Sequence, residues 1–280
     1  MIRLGGHGLP VGSDDPAAFA AAHREFGYRA AYCPSCAIGD TDRQRAISTA
    51  FAEADVTLAE IGIWRNLITP DERTRAENVA YACETLALAD AIGVGCAVSY
   101  IGSFAAGTNY APHPKNLGDE AFDATVETAR YIIDAVEPQR TRFALEMMQY
   151  ALPDSVDCTL ALIKAVDRPA FAAHVDPVNL VMTPRTYFDT ASLIRECFQK
   201  LGPHIVSCHA KDIVLHDRAA LHFDEVIIGD GILDYPVFLA ELEKLDVDVP
   251  LMLEHLEGSE YARARDRLVA IAAPFGIRFS

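Results

Sequence analysis

Nowhere does the chain carry the roughly 18 consecutive uncharged apolar residues of a membrane-spanning helix, although 51% of its 280 residues are hydrophobic. A membrane partner is therefore not expected. The start "MIRLGGHGLPVGSDD" has one early arginine but no apolar stretch of signal-peptide length, so the expected location is cytoplasmic. Positive charge is scarce as well: 24 Lys and Arg stand against 40 Asp and Glu, a net charge of −16. The basic residues are scattered, so the electrostatic footprint of a nucleic-acid binder is missing. Seven cysteines form no disulfide framework in a chain of this size, and reduced thiols are expected. "CPSC", Cys33 to Cys36, has redox or half-zinc spacing, but no second CxxC completes it and it ends a strand instead of opening a helix. No GxGxxG follows the first strand, and "GDG" at 229–231 is too short to cradle a nucleotide; it reads as a loop passing close to the site. Low-complexity and linker-like segments are absent.

What is present is an alternation of apolar β-rich runs with amphipathic segments, the pattern of βα units around a parallel sheet. Eight strands are predicted, at 2–8, 29–35, 56–64, 94–101, 141–147, 171–178, 205–212 and 249–256. Helix start signals are clear: "DDPAAFAAAHREFG" offers Asp14 or Asp15 as cap, Pro16 at the first helical position and Gly27 beyond the end. The segment from Asp71 to Ala91 repeats Ala, Val and Leu at helical spacing, a stripe for packing on the sheet. Eight such units close most naturally into a (β/α)8 barrel, an α/β fold forming one domain over residues 1–280; an open doubly wound sheet is the competitor.

In a parallel barrel, active sites form at the C-terminal ends of the strands. Strands five to eight end in Glu146, Asp176, His209 and Glu254. Singly, each has a structural explanation in a salt bridge or a satisfied core histidine. Together, three carboxylates gathered on one side of the mouth repel one another unless a cation lies between them. The four are read as a divalent-metal site, oxygen-rich and therefore favouring Mn²⁺ or Mg²⁺, with Co²⁺ and catalytic Zn²⁺ as alternatives.

Further candidates surround this set, each with a structural alternative. His7, beside glycines at the end of strand one, is a substrate contact or a turn residue. Trp64 and Tyr100 close strands three and four, either as faces for a sugar ring or as rim packing. His174 lies two residues before Asp176 and one layer deeper, as a ligand-supporting or substrate group or as a core histidine. Arg185 binds a hydroxyl, carboxylate or phosphate, or is a solvated loop residue. Lys211 points the same way as His209, as a cation for a substrate oxygen or as partner to a carboxylate, while Asp212 points away and caps the following loop. In that loop His222 is a substrate or proton-transfer candidate and His216 is surface; His255 faces the opposite side from Glu254.

The order Glu146, Asp176, His209, Glu254, with "SCHAKD", "GDGILDY", "PLMLEHL" and "GIWRNLITPDERTR", resembles the xylose-isomerase-like TIM barrel superfamily of sugar isomerases, epimerases and sugar lyases over nearly the whole chain. The resemblance implies a metal held by those four residues, with a substrate's adjacent hydroxyl and carbonyl oxygens completing the shell. It also implies that Glu146 and Glu254 are catalytic: one glutamate abstracts a proton next to the carbonyl, an enediolate forms, and the other returns a proton. Homo-oligomerisation is a further implication. One departure stands out: many epimerase-like members carry DxxH, whereas "DPVN" places Asn179 where that histidine stands, and an amide binds a hydroxyl but carries no proton.

The expected function is thus a metal-dependent isomerase or epimerase of a sugar or keto-sugar. A metal-dependent lyase or dehydratase acting on an inosose or a 3-keto-glycoside begins with the same proton abstraction and is the close rival. A non-catalytic binding or assembly barrel is the alternative of another class, and predicts glutamates too far apart, or too engaged in salt bridges, to reach a common ligand. An abasic-site endonuclease would need a basic groove, which the charge of −16 argues against.

Overall fold

The computed structural model describes residues 2–9 and 14–279. The barrel strands are β1 (Arg3–Gly6), β2 (Ala30–Tyr32), β3 (Thr57–Gly62), β4 (Cys96–Ser99), β5 (Arg142–Glu146), β6 (Phe171–Val175), β7 (Ile205–Ala210) and β10 (Pro250–Leu253). Each lies inside a span read from the sequence. They pair in parallel in sequence order, and β10 closes the circle between β7 and β1, registering Leu253 with both Ala210 and Gly6. The chain therefore folds as a (β/α)8 barrel.

Local chemistry sets the helix limits. Asp15 caps the helix Pro16–Phe26 by accepting from Ala18 N, Pro16 opens it, and Gly27 ends it at φ 91°. Asp71 does the same for Glu72–Ile92, whose buried Ala82, Leu86, Ala89 and Ile92 pack in one apolar cluster with outward-facing Phe143 and Leu145 of β5. No helix among the described residues is long and apolar enough to cross a membrane.

Two β-bulges break the strict alternation inside the barrel. Opposite Ala31 and Tyr32 the register on β3 jumps from Leu58 to Glu60, and opposite Ala173 and His174 the register on β7 jumps from Ile205 to Ser207. As a result Leu58 packs with Ile47 and Phe51 of the helix Thr41–Glu53, while Ala59 turns to Ala30 and Met252. Glu60 then enters the barrel centre.

The segment after β7 differs from the long loop expected. β8 (Asp212–Leu215) and β9 (Phe223–Val226) form an antiparallel hairpin over the mouth. Asp212 anchors its base by accepting backbone N–H bonds from Ile213, Gly229, Gly231 and Leu233 at 2.9–3.2 Å. That matches the loop-orienting part expected of Asp212, and Gly231 leaves the space: a Cβ there would lie 2.2 Å from Asp212 Oδ1.

Candidate active site

Glu146 ends β5, Asp176 follows β6, His209 lies in β7 and Glu254 follows β10. Ligand atoms of all four lie within 4.8 Å of one another. Imidazole Nδ1 of His209 is 3.1 Å from Glu146 Oε1, 3.0 Å from Glu254 Oε2 and 4.0 Å from Asp176 Oδ2. Lys211 reaches into the same point, with Nζ 2.8 Å from Asp176 Oδ2 and 2.7 Å from Glu254 Oε2. Neither of those two buried oxygens has a hydrogen bond of good geometry, so they are held by charge alone. Burial, together with the neighbouring carboxylates, pushes Asp176 up to about 6 even against the pull of Lys211. Orphaned carboxylate oxygens and an imidazole nitrogen converging on one point are a donor set that fits a divalent cation.

Beneath this cluster lies a second one. Glu60, fully buried, accepts from both imidazoles, His174 Nε2 to Oε1 at 3.1 Å and His209 Nε2 to Oε2 at 3.2 Å, and from the hydroxyl of Ser207. Burial alone would raise its carboxyl, but the charges and hydrogen bonds of the two histidines outweigh that and hold it well below the usual range. For His209, burial is likewise outweighed by Glu60 and its neighbours, and its pKa is raised. Because Nε2 of His209 is engaged by Glu60, Nδ1 is the nitrogen presented to Glu146, Asp176 and Glu254.

Above the carboxylates opens a cavity of about 410 Å³. Glu146, Asn179, Lys211 and Glu254 line one side, Trp64, Tyr100 and Tyr110 another, and Met148, Gln149, Glu225 and His255 the rest. Asn179 donates to Glu146 Oε1 and to the carbonyl of Met147, both at 3.0 Å, and accepts from Gln149 at 2.8 Å. Trp64 and His255 hold left-handed backbone at φ 47° and 55°, strain of the kind that clusters at functional sites. Tyr100 donates to the carbonyl of Trp64 at 3.0 Å. The loop carrying Tyr110 is tied down by Asn66, whose amide donates to Ser103 O and Thr108 O at 2.7 and 2.9 Å. Gly102, at φ 110°, lies against that amide so closely that a Cβ would stand 2.1 Å from Asn66 Oδ1. Gly102→Ala is expected to cost about 1–3 kcal/mol in backbone strain alone, seen as a lowered urea midpoint.

The sequence matches the model of the xylose isomerase-like TIM barrel family over residues 8–271. The chain belongs to this family. No curated protein matches it significantly. Among solved structures it is similar to a xylose isomerase-like TIM barrel protein from Mycobacterium smegmatis in complex with magnesium (18% identity, 97% of this chain and 96% of that one, TM-score 0.66). It is similar also to a probable 3-DHS dehydratase from Bacillus anthracis (18% identity, 96% and 98% covered, TM-score 0.69) and to D-psicose 3-epimerase from Clostridium cellulolyticum (14% identity, all of both chains, TM-score 0.68).

Within this family barrel the other candidates fall in several places. His174 is sealed one layer below, paired with Glu60, and does not line the main cavity. His7 stacks on Tyr32 at 4.2 Å and lines a separate cavity beside Cys33. Arg185 is exposed on the short helix Pro184–Tyr187, away from the main cavity. His222 projects from the hairpin to Asp224, also outside that cavity. Cys33 and Cys36 are free thiols, Cys33 pushed up to about 12 by burial. His255, expected to face away, lines the cavity and bonds Glu225 at 2.8 Å; strand alternation ceases at Leu253, and its left-handed φ turns it inward.

Proposed function

We propose that the protein is a divalent-metal-dependent isomerase or epimerase of a keto-sugar. The observation that carries this reading is the convergence of Glu146, Asp176, His209 and Glu254 within 4.8 Å at the floor of a cavity of about 410 Å³. Glutamates meeting at one point speak against the binding-barrel expectation of glutamates too far apart, while their pairing with His209 and Lys211 is what its salt-bridge form expects. A divalent ion held by the four, Mn²⁺ fitting best and Mg²⁺, Co²⁺ or Zn²⁺ being alternatives, would supply positive charge to the substrate oxygen that becomes negative when the adjacent carbon loses its proton. The magnesium complex of the Mycobacterium smegmatis relative supports a metal of this class.

The chain's own groups do the remaining work. Glu146 and Glu254 approach from strands separated by β6 and β7, so one takes the proton beside the carbonyl and the other returns it through an enediolate. Asn179 orients Glu146 through its 3.0 Å bond to Oε1. Trp64, Tyr100 and Tyr110 offer apolar surface to the sugar ring and narrow the access of water. Among the described residues, Lys211 is the one lysine or arginine lining the cavity, and it is already paired with Asp176 and Glu254. Arg185→Ala, outside the cavity, is expected to leave turnover within about twofold, as surface changes usually do.

A lyase reading is favoured by two residues. Asn179 cannot carry a proton, and the ammonium of Lys211, beside Glu254, can deliver one to a departing oxygen. The test is hydrogen exchange in D₂O over a panel of ketoses, inososes and 3-keto-glycosides, with products analysed. Exchange with recovered ketose isomers supports the first reading, exchange with an unsaturated product the second, and no exchange with any metal ion rejects both. The carboxylate below the site enters a further prediction. Glu60→Gln is expected to weaken metal affinity about 10- to 100-fold by loosening His209, measured by chelator competition; unchanged affinity would remove Glu60 from the site.

A further inference from the structure

The hairpin carries a cluster that shares no residue with the barrel site. His216 and His222 face each other across its open end, His216 N donating to the carbonyl of His222 at 3.0 Å and the rings standing 5.3 Å apart. Asp224, two residues along β9 from His222, shares its face. Nε2 of His216 lies 2.8 Å from Asp224 Oδ2, and Nε2 of His222 lies 3.2 Å from Oδ1. Despite the close approach, His216 Nε2 is buried and makes no hydrogen bond of acceptable geometry. Ligand atoms of the three residues all lie within 4.8 Å of one another. Atoms that approach one another without bonding are aimed at a common point, the relation that ligands of one ion have.

We propose that His216, His222 and Asp224 form a second metal site, for a borderline transition ion such as Zn²⁺. Two imidazoles and one carboxylate suit Zn²⁺, Cu²⁺ or Ni²⁺ and disfavour Mg²⁺ and Ca²⁺; water takes the fourth position. All three side chains are partly open to solvent, so an ion has access. A two-stranded hairpin alone is marginal in water, and the base of this one is held by Asp212 while its open end is held by the 216–222 pairing. An ion bridging β9 and the end of β8 clips that open end. Successive residues of a strand face opposite ways, so Asp224 on the outer face leaves Glu225 on the inner one, 3.7 Å from Lys211 Nζ. Closing the clip therefore fixes a wall of the main cavity.

The assignment does not rest on the barrel metal or on sugar chemistry. Zn²⁺ is titrated at buffered free concentration into the full chain and into His216→Asn/His222→Asn, surface changes that leave the core intact. The double variant is expected to bind one equivalent fewer and to lose the protection from proteolysis at 217–221 that Zn²⁺ gives the unaltered chain. Equal stoichiometry in the two proteins would overturn the site, and equal protection would overturn the clip. A third protein, Asp176→Asn/Glu254→Gln, is expected to keep the hairpin equivalent; its loss there too would show that the hairpin ligands belong to the barrel centre.

Discussion

Glu146→Gln and Glu254→Gln are each expected to lower turnover, and proton exchange at the face each glutamate serves, about 10²- to 10⁴-fold, the range attributed to a positioned acid or base. Glutamine keeps the volume of glutamate and one carbonyl oxygen. What it loses is the proton-accepting oxygen and the charge. The two substitutions should differ in their side effects. Glu146 Oε1 accepts from both Asn179 and His209, so an amide there disturbs the hydrogen bonding of two neighbours. Glu254 Oε2 is buried, 2.7 Å from Lys211 Nζ and 3.0 Å from His209 Nδ1, so an amide there weakens the pairing of two cations instead. An epimerising exchange with one glutamate on each face of the substrate carbon makes a further demand: each single variant should lose wash-in from one face while the partner glutamate still exchanges at its own. Loss of metal content and exchange together would mean that the residue serves chiefly as a ligand. Full activity and full metal content in both variants would end the proposal.

The strand ends were legible because the barrel makes position along a strand equivalent to position along the barrel axis. An acid or histidine closing an apolar run must then lie at one rim, and Glu146, Asp176, His209 and Glu254 all follow that rule. Glu60 does not. It sits before the end of "TLAEIG", and the bulge opposite Ala31 and Tyr32 places Leu58 and Glu60 on different faces, so alternation counted from Leu58 points the glutamate toward the helices. The available signal was a single carboxylate in an otherwise apolar strand, which must find a partner if buried. Glu225 and His255 were hidden for a different reason. The hairpin β8–β9 is short, and charged residues at its centre broke the apolar pattern that would have marked β9; His255 lies past the last paired residue of β10, where a left-handed turn replaces strand geometry. Tyr110 and Gln149 reach the cavity from loops tied by Asn66 and Asn116, contacts between distant segments that local pattern does not encode.

Lys211→Met is expected to cost the metal-free protein about 3–5 kcal/mol, the penalty for removing one partner from a buried charge cluster. Lys211 is nearly sealed, and its ammonium faces Asp176, Glu254, Glu225 and Glu146 at 2.8, 2.7, 3.7 and 4.0 Å. Burial opposes its charge, yet those carboxylates raise its pKa above the ordinary lysine value. Methionine fills a similar volume with no charge, leaving His209 alone to offset Glu146, Asp176 and Glu254. A divalent ion bound by those same residues restores the missing charge, and a ligand that binds only the folded state stabilises it in proportion to the logarithm of its concentration over Kd. The melting temperature of Lys211→Met should therefore fall without metal and recover steeply with added Mn²⁺, rising more per decade of ion than in the unaltered chain, where the ammonium competes for the same oxygens. Equal Mn²⁺ dependence in the two proteins would mean that the ammonium and the ion do not share the site. The catalytic consequence separates the two readings of the chemistry: a lysine that only balances charge leaves exchange intact once the metal is supplied, whereas a lysine that protonates a leaving oxygen leaves exchange intact and abolishes elimination.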